Sequence, residues 1–152
     1  MKAILAFLSV LGIDLSSKKW AEENLPLNKK REIVKNHLYF WHIKNSGIAY
    51  NRFSGRRKGI LLATGALLAC YGGLLVQILR GKGEKWLALP LALTLGGGAA
   101  NFWERLKKGR VTDFLFIPVE GKNAPIFNIA DVSIVIGTLW ITVVPFLKNK
   151  KN

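Results

Sequence analysis

From Gly59 to Leu79 the chain runs through 21 residues without a charged side chain, and that run limits what the rest can become. A helix rises about 1.5 Å per residue, so such a run crosses a hydrocarbon layer of about 30 Å with its backbone polar groups bonded internally. A second uncharged run covers residues 86–103. A third covers 132–147 and becomes long enough once it is counted from Ala124 through Asp131. The first segment, about 3–21, is apolar to Ile13 and then admits Asp14, Lys18 and Lys19. Four transmembrane helices are therefore expected, at about 3–21, 59–79, 86–103 and 130–147, with polar excursions at 22–58 and 104–130. With 152 residues, 50% of them hydrophobic, and a mean hydropathy of +0.22, the chain reads as a single polytopic membrane domain.

The start, Met1-Lys2 followed by an apolar stretch to Ile13, has the outline of a removable secretory signal. It lacks a small-x-small cleavage site and continues at helical spacing, so it reads as a retained first helix. Cys70 lies inside an apolar span and reads as a small hydrophobe. The net charge of +14 comes from residues flanking spans that sit in lipid. Anionic headgroups, and not nucleic acid, are the partners this distribution implies.

In the first excursion, residues 33–43 mix aromatic and aliphatic side chains with Lys35, Asn36, His37 and His42 in a strand-like alternation. Leu38, Tyr39, Phe40 and Trp41 are too many to bury in so small a loop and suit the headgroup level. His37 and His42 have no partners at metal-ligand spacing and read as interfacial. Residues 80–85 form a charged turn. The second excursion has a strand-like stretch at 111–119 and a turn at 120–123, and the basic tail from Lys148 reads as disordered.

Two polar strings carry the chemistry: Val111-Thr112-Asp113-Phe114 and Phe127-Asn128-Ile129-Ala130-Asp131. An ionised aspartate near hydrocarbon costs roughly 2.5–3.5 kcal/mol, which makes each a functional candidate. If folding joins Asp113 and Asp131, both do not easily ionise together, and one holds a proton while the other stays charged. The plainer alternative is a loop residue at 113 and a helix cap at 131. Asp14 and Lys18, spaced i, i+4, share a helical face and neutralise each other. Asn45 with Gly47 supplies an amide and a flexible backbone, or a plain turn. Gly96-Gly97-Gly98-Ala99-Ala100 lies inside a spanning run, where small residues allow close helix packing or leave room for a lipid chain.

These strings, together with Asn45-Ser46-Gly47-Ile48-Ala49-Tyr50, Gly98-Ala99-Ala100-Asn101-Phe102-Trp103-Glu104-Arg105 and Gly109-Arg110, occur in an order that resembles the signal peptidase II family. These are bacterial membrane aspartyl endopeptidases. The resemblance spans nearly the whole chain. It implies four membrane helices beside a small β-sheet on the membrane surface, with Asp113 and Asp131 catalytic. It further implies that Asp14, Lys18, Asn45, Gly47, Asn101, Glu104, Arg105 and Asn128 bind substrate or support the site. The substrate it implies is a diacylglyceryl-modified prolipoprotein, cut just before its lipidated cysteine by a monomer in contact with membrane lipids, with no metal or cofactor. The location it implies is the bacterial cytoplasmic (inner) membrane, multi-pass, both termini cytoplasmic and the site toward the outer leaflet.

Three features strain the resemblance. Glu104 stands where the family has Asp, immediately before Arg105, and Leu15 where many members have Gln. If Glu104 only buttresses Arg105 it suffices; if its position is tightly set, activity changes. Of 23 basic residues, sixteen lie in or beside the excursions, and by count alone that side would be cytoplasmic. The rival readings are a catalytically altered homologue that binds lipid or lipopeptide without efficient proteolysis, and a small transporter with the carboxylates as proton carriers.

Overall fold

The computed structural model describes residues 1–48, 51–120 and 124–149. The expected turn at 120–123, the end of the Asn45-to-Tyr50 string and the last residues of the basic tail lie partly or wholly outside them. Four long helices account for most of the chain: α1 (Lys2–Asn24), α2 (Arg57–Leu79), α3 (Ala88–Lys108) and α4 (Ile129–Asn149), with a 3₁₀ turn at Lys85–Leu87. An antiparallel sheet in the order β1 (Lys30–Val34), β2 (Leu38–Asn45), β3 (Val111–Phe116), β4 (Ile126–Phe127) fills the two excursions. The architecture is mainly helical with a small four-stranded sheet.

Helix α3 is the hub, packing against α1, α2 and α4. Its three consecutive glycines explain how. Successive helical residues point about 100° apart, and each glycine meets a different neighbour. A Cβ at Gly96 would lie 2.9 Å from the Phe7 carbonyl oxygen of α1, one at Gly98 2.9 Å from Leu68 of α2, and one at Gly97 would overlap the Ala130 carbonyl of α4. The small-residue run thus brings backbones together.

The outer surfaces are apolar. Ile4, Leu5, Leu8 and Ile13 of α1, Leu62 and Leu67 of α2, and Val135, Leu139 and Val143 of α4 are all exposed, and such clustered apolar surface marks a contact with lipid or protein. Among the described residues only α2 is long and apolar enough by composition to cross a membrane, and the apolar part of α4 covers Ile129–Pro145. In α1 and α3 four charged residues turn inward: Asp14, Lys18, Glu104 and Arg105 are all buried.

The third helix does not stop at 103. It runs one further turn to Lys108, because residues 104–108 are good helix formers whose basic side chains suit a C-terminus. It ends at Gly109, whose φ of 74° and N–H bond to the Arg105 carbonyl make a left-handed cap. Glu104 and Arg105 are therefore helical, not part of an excursion. The sheet leans on the end of α1, where Trp20 stacks 5.1 Å from Phe40, and Ala21, Leu25 and Phe114 form a small core. Elsewhere on the sheet the Lys30 ammonium sits 3.9 Å from the Tyr39 ring and 4.4 Å from Phe116. His42 is buried, its Nδ1 3.0 Å from the Leu25 carbonyl oxygen, and not interfacial as its sequence setting suggests.

Candidate active site

The sheet and the start of α4 bring the two aspartates to one cavity of about 340 Å³. Asp113 arrives on β3, where Ile43 of β2 is its cross-strand partner. Asn45, two residues further along β2, is thus its diagonal neighbour and donates from Nδ2 to Asp113 Oδ2 at 2.9 Å. Asp131 arrives on the first turn of α4. There Asn128 Oδ1 accepts the Asp131 N–H at 2.9 Å and Asp131 Oδ2 accepts the Asn128 N–H at 3.1 Å. This is a reciprocal capping box, with Asn128 as N-cap and Asp131 three residues on.

Asn128 also joins the two carboxylates. Its Nδ2 donates to Asp113 Oδ1 at 2.7 Å, while Asn101 of α3 donates from Nδ2 to Asp131 Oδ1 at 2.8 Å. All four carboxylate oxygens therefore accept N–H groups, from three asparagines on three elements and one backbone amide. Asp113 is 2% exposed. Burial first, and the charge of Asp131 second, push its carboxyl up to about 7, against the pull of the Asn45 and Asn128 bonds. A carboxyl with that value is half protonated near neutrality and can serve as a proton donor.

Behind Asn101 lies a buried charged layer. Lys18 of α1 donates from Nζ to Asn101 Oδ1 at 2.6 Å and pairs with Asp14 at 2.7 Å and Glu104 at 3.5 Å. Asp14 Oδ1 accepts the Ala130 N–H at 2.8 Å, satisfying another free amide at the start of α4. Asp14 and Lys18 thus neutralise each other and also brace the site.

Glu104 departs from its expected role. Its oxygens accept the Thr112 N–H at 2.9 Å and the Thr112 hydroxyl at 2.7 Å, and pair with Lys108 at 3.1 Å. It anchors β3 one residue before Asp113, on the α1 side of α3, and is not the buttress of Arg105. Arg105 points the other way and lines the cavity, where its Nη2 donates to the Gly47 carbonyl at 2.8 Å. Gly47 is confined between the Asn45 and Asn51 side-chain oxygens, each 3.0 Å from its N–H, and a Cβ there would overlap the Arg52 carbonyl.

All ten sequence-derived site residues belong to this assembly. Sequence reading left out Thr112, wholly buried, and the surface cluster in which Glu22 pairs with Lys44 and Lys108. The i, i+4 spacing of Glu104 and Lys108 was the available signal for the latter. It also left out Thr64, a cavity-lining hydroxyl inside the apolar run of α2. Among the described residues no group of three or more His, Cys, Asp or Glu side chains is placed to hold a metal ion.

The chain has the fold of bacterial membrane enzymes of known structure. It is similar to a bacterial membrane enzyme solved at 2.3 Å resolution, with a TM-score of 0.86 and 25% identity over 97% of this chain and 88% of that one. A second membrane enzyme, solved at 1.9 Å, gives a TM-score of 0.82 at 25% identity over 93% and 90% of the two chains. The family profile for signal peptidase (SPase) II matches residues 6–147, and the chain belongs to that family. Relatives named lipoprotein signal peptidase include those of Bacillus subtilis, 30% identical over 95% of this chain and 93% of the relative, and Lactococcus lactis, 33% identical over 90% of each. That of Listeria welshimeri is 28% identical over 95% of this chain and 93% of its own.

Proposed function

We propose that this chain is a lipoprotein signal peptidase that cuts a diacylglyceryl-modified prolipoprotein just before its lipidated cysteine, using Asp113 and Asp131 as an aspartic dyad. One observation carries the reading: two carboxylates from separate elements line one cavity, with every oxygen held by an N–H donor. Asp131 takes a proton from the attacking water as general base. Asp113, with its raised carboxyl, gives its proton to the scissile carbonyl oxygen or the leaving nitrogen. The step uses no metal, cofactor or covalent intermediate.

The four helices span the membrane as one domain and act as a monomer, with both termini cytoplasmic and the sheet lying on the outer leaflet of the bacterial inner membrane. At about 1.5 Å per residue, helices of 21 to 23 residues reach about 30–35 Å, enough for the hydrocarbon layer. The inward turn of Asp14, Lys18, Glu104 and Arg105 keeps these four charges off the lipid-facing surfaces of α1 and α3. Asn45, Gly47 and Arg105 line or border the cavity from the sheet side and hold the substrate backbone, while Asp14, Lys18, Asn101, Glu104 and Asn128 fix the dyad. The alternative of a homologue that binds without cleaving has less support, because Glu104 turns away from the cavity and fills its bonds on Thr112.

The test is incubation of the purified protein with a diacylglyceryl-modified precursor and with the same precursor carrying an unmodified cysteine. Only the lipidated form is expected to be cut, and Asp113→Asn or Asp131→Asn to lower the rate roughly 10²–10⁴-fold, the usual contribution of a proton-transfer group. Equal cutting of both forms removes the lipid requirement, and near-normal turnover by either variant removes that aspartate from catalysis.

A further inference from the structure

We propose that the groove between the β2–α2 connection and the first turns of α2 binds an anionic phospholipid, with its phosphate at Arg56 and Lys58 and an acyl chain along Ile60, Ala63 and Leu67. Two hollows meet here. One, of about 370 Å³, is lined chiefly by apolar side chains, among them Phe53, Ile60, Ala63 and Leu67. The other, of about 710 Å³, is walled by Arg56, Arg57 and Lys58, and the two share Arg56 and Gly59. An apolar slot therefore opens at one end onto a cluster of cations, the shape and charge order of a phospholipid.

The chain offers those cations little anion of its own. The sequence holds no Asp or Glu between Glu32 and Glu84. Arg57 is committed to the Leu106 carbonyl at 2.7 Å, which ties α2 to the end of α3. Arg56 stands 5.8 Å from the Phe53 ring, held at the mouth of the groove. Arg56 and Lys58 are exposed and free to pair with a phosphodiester through charge-assisted bonds, for which a guanidinium is well suited. A Cβ at Gly59 would meet nothing within 4 Å, so the slot is open at its centre. Along its whole length α2 buries only Ile60, Leu75 and Ile78, and leaves the rest of this face for lipid.

The diacylglyceryl group of the proposed substrate is uncharged and gives Arg56 and Lys58 no anion to pair with, although the slot borders the catalytic cavity through Ile48 and Thr64. That contrast favours a phospholipid as occupant. It also gives two of the sixteen basic residues on the excursion side, Arg56 and Lys58, a use other than setting orientation.

Native mass spectrometry of the purified full chain reads lipid retention without reference to proteolysis. The protein is equilibrated with phosphatidylglycerol or with phosphatidylcholine of the same acyl chains. The wild type is expected to retain one phosphatidylglycerol at least tenfold better than phosphatidylcholine. Arg56→Gln with Lys58→Gln removes that preference, and Gly59→Trp, which fills the slot and keeps the charges, lowers retention at least tenfold. Both changes lie on exposed positions, and unchanged melting temperatures show that the fold survives. Equal retention of the two lipids, full retention by either variant, displacement by millimolar inorganic phosphate, or displacement by a lipidated precursor peptide overturns the proposal.

Discussion

Asn128 and Asp131 cap each other: the Asn128 side chain accepts the Asp131 N–H at 2.9 Å, and the Asp131 carboxylate accepts the Asn128 N–H at 3.1 Å. The same two residues thus begin α4 and build the site. The amide left over on Asn128, at 2.7 Å from Asp113 Oδ1, fixes β3 against that helix start. Helix capping and the proposed catalysis draw on one set of atoms.

Protonation of Asp113 sets a pH dependence. Its carboxyl is pushed up to about 7 by burial and by Asp131, so a rate that needs it protonated falls as pH rises through about 7. The Asn45 bond favours the charged form; Asn45→Ala is therefore expected to move the falling limb of kcat/KM to higher pH. A limb that stays put, or moves down, refutes the assignment of the proton to Asp113. Stability follows the same sign. Between 3.8 and about 7 the folded chain keeps a proton that the unfolded chain has released, so stability from this group declines as pH rises through that window and is level above it. Asp113→Asn flattens that slope in thermal unfolding.

Lys18 is 1% exposed and stands between Asp14, Glu104 and Asn101. Lys18→Met leaves Asp14 buried without its cation, while Glu104 keeps Lys108, and is expected to cost about 3–5 kcal/mol. Combining it with Asp14→Asn recovers part of that loss, and only part, because the Ala130 N–H then loses a charged acceptor. Thermal unfolding in detergent measures both, and a single variant as stable as the wild type rules out a structural role for the ion pair.

Gly97 tests helix packing at the dyad. A Cβ there overlaps the Ala130 carbonyl and lies 3.0 Å from Ile134, one turn from the Asn101 bond to Asp131. Gly97→Val is expected to cost about 1–3 kcal/mol through overpacking and to lower activity with it. Gly73→Val is the control, since nothing lies within 4 Å of its added Cβ. Equal effects at the two positions contradict the packing argument.

Topology is tested in a Cys70→Ser background. A cysteine replacing Lys35, exposed in the turn between β1 and β2, is expected to react with a membrane-impermeant label from outside intact cells. One replacing Lys82, exposed between α2 and the 3₁₀ turn, is expected to stay unlabelled. The reverse pattern places the sheet in the cytoplasm, where the basic-residue count alone would put it.

The local strings announced most of the site. Asp113 and Asp131 stood out because carboxylates beside apolar runs need partners, Asn101 and Asn128 through the family resemblance of their strings, and Asp14 with Lys18 because i, i+4 spacing fixes a shared face whatever surrounds the helix. Strand character was visible in the alternation of residues 33–43, but not the turn at 35–37 that divides the stretch between β1 and β2. Less was visible at 104–108, where the loss of hydrophobicity mimics the end of a helix, although the backbone continues until Gly109 stops it. His42 looked interfacial because a histidine that follows three aromatic residues carries no mark of the Leu25 carbonyl it meets in the fold.

Hydropathy, spacing and residue chemistry act along the chain, so the sequence by itself determined the apolar runs, the strand character now seen in β2 and β3, the Asp14–Lys18 pair and the family. Which groups meet is a matter of closure in space. Only the tertiary structure decided that Glu104 holds Thr112 instead of Arg105, that three adjacent glycines serve three different helices, and that Lys18 reaches Asn101 across 83 residues. Each depends on the direction a side chain takes once helices pack within van der Waals distance, and no local property of the chain encodes that direction.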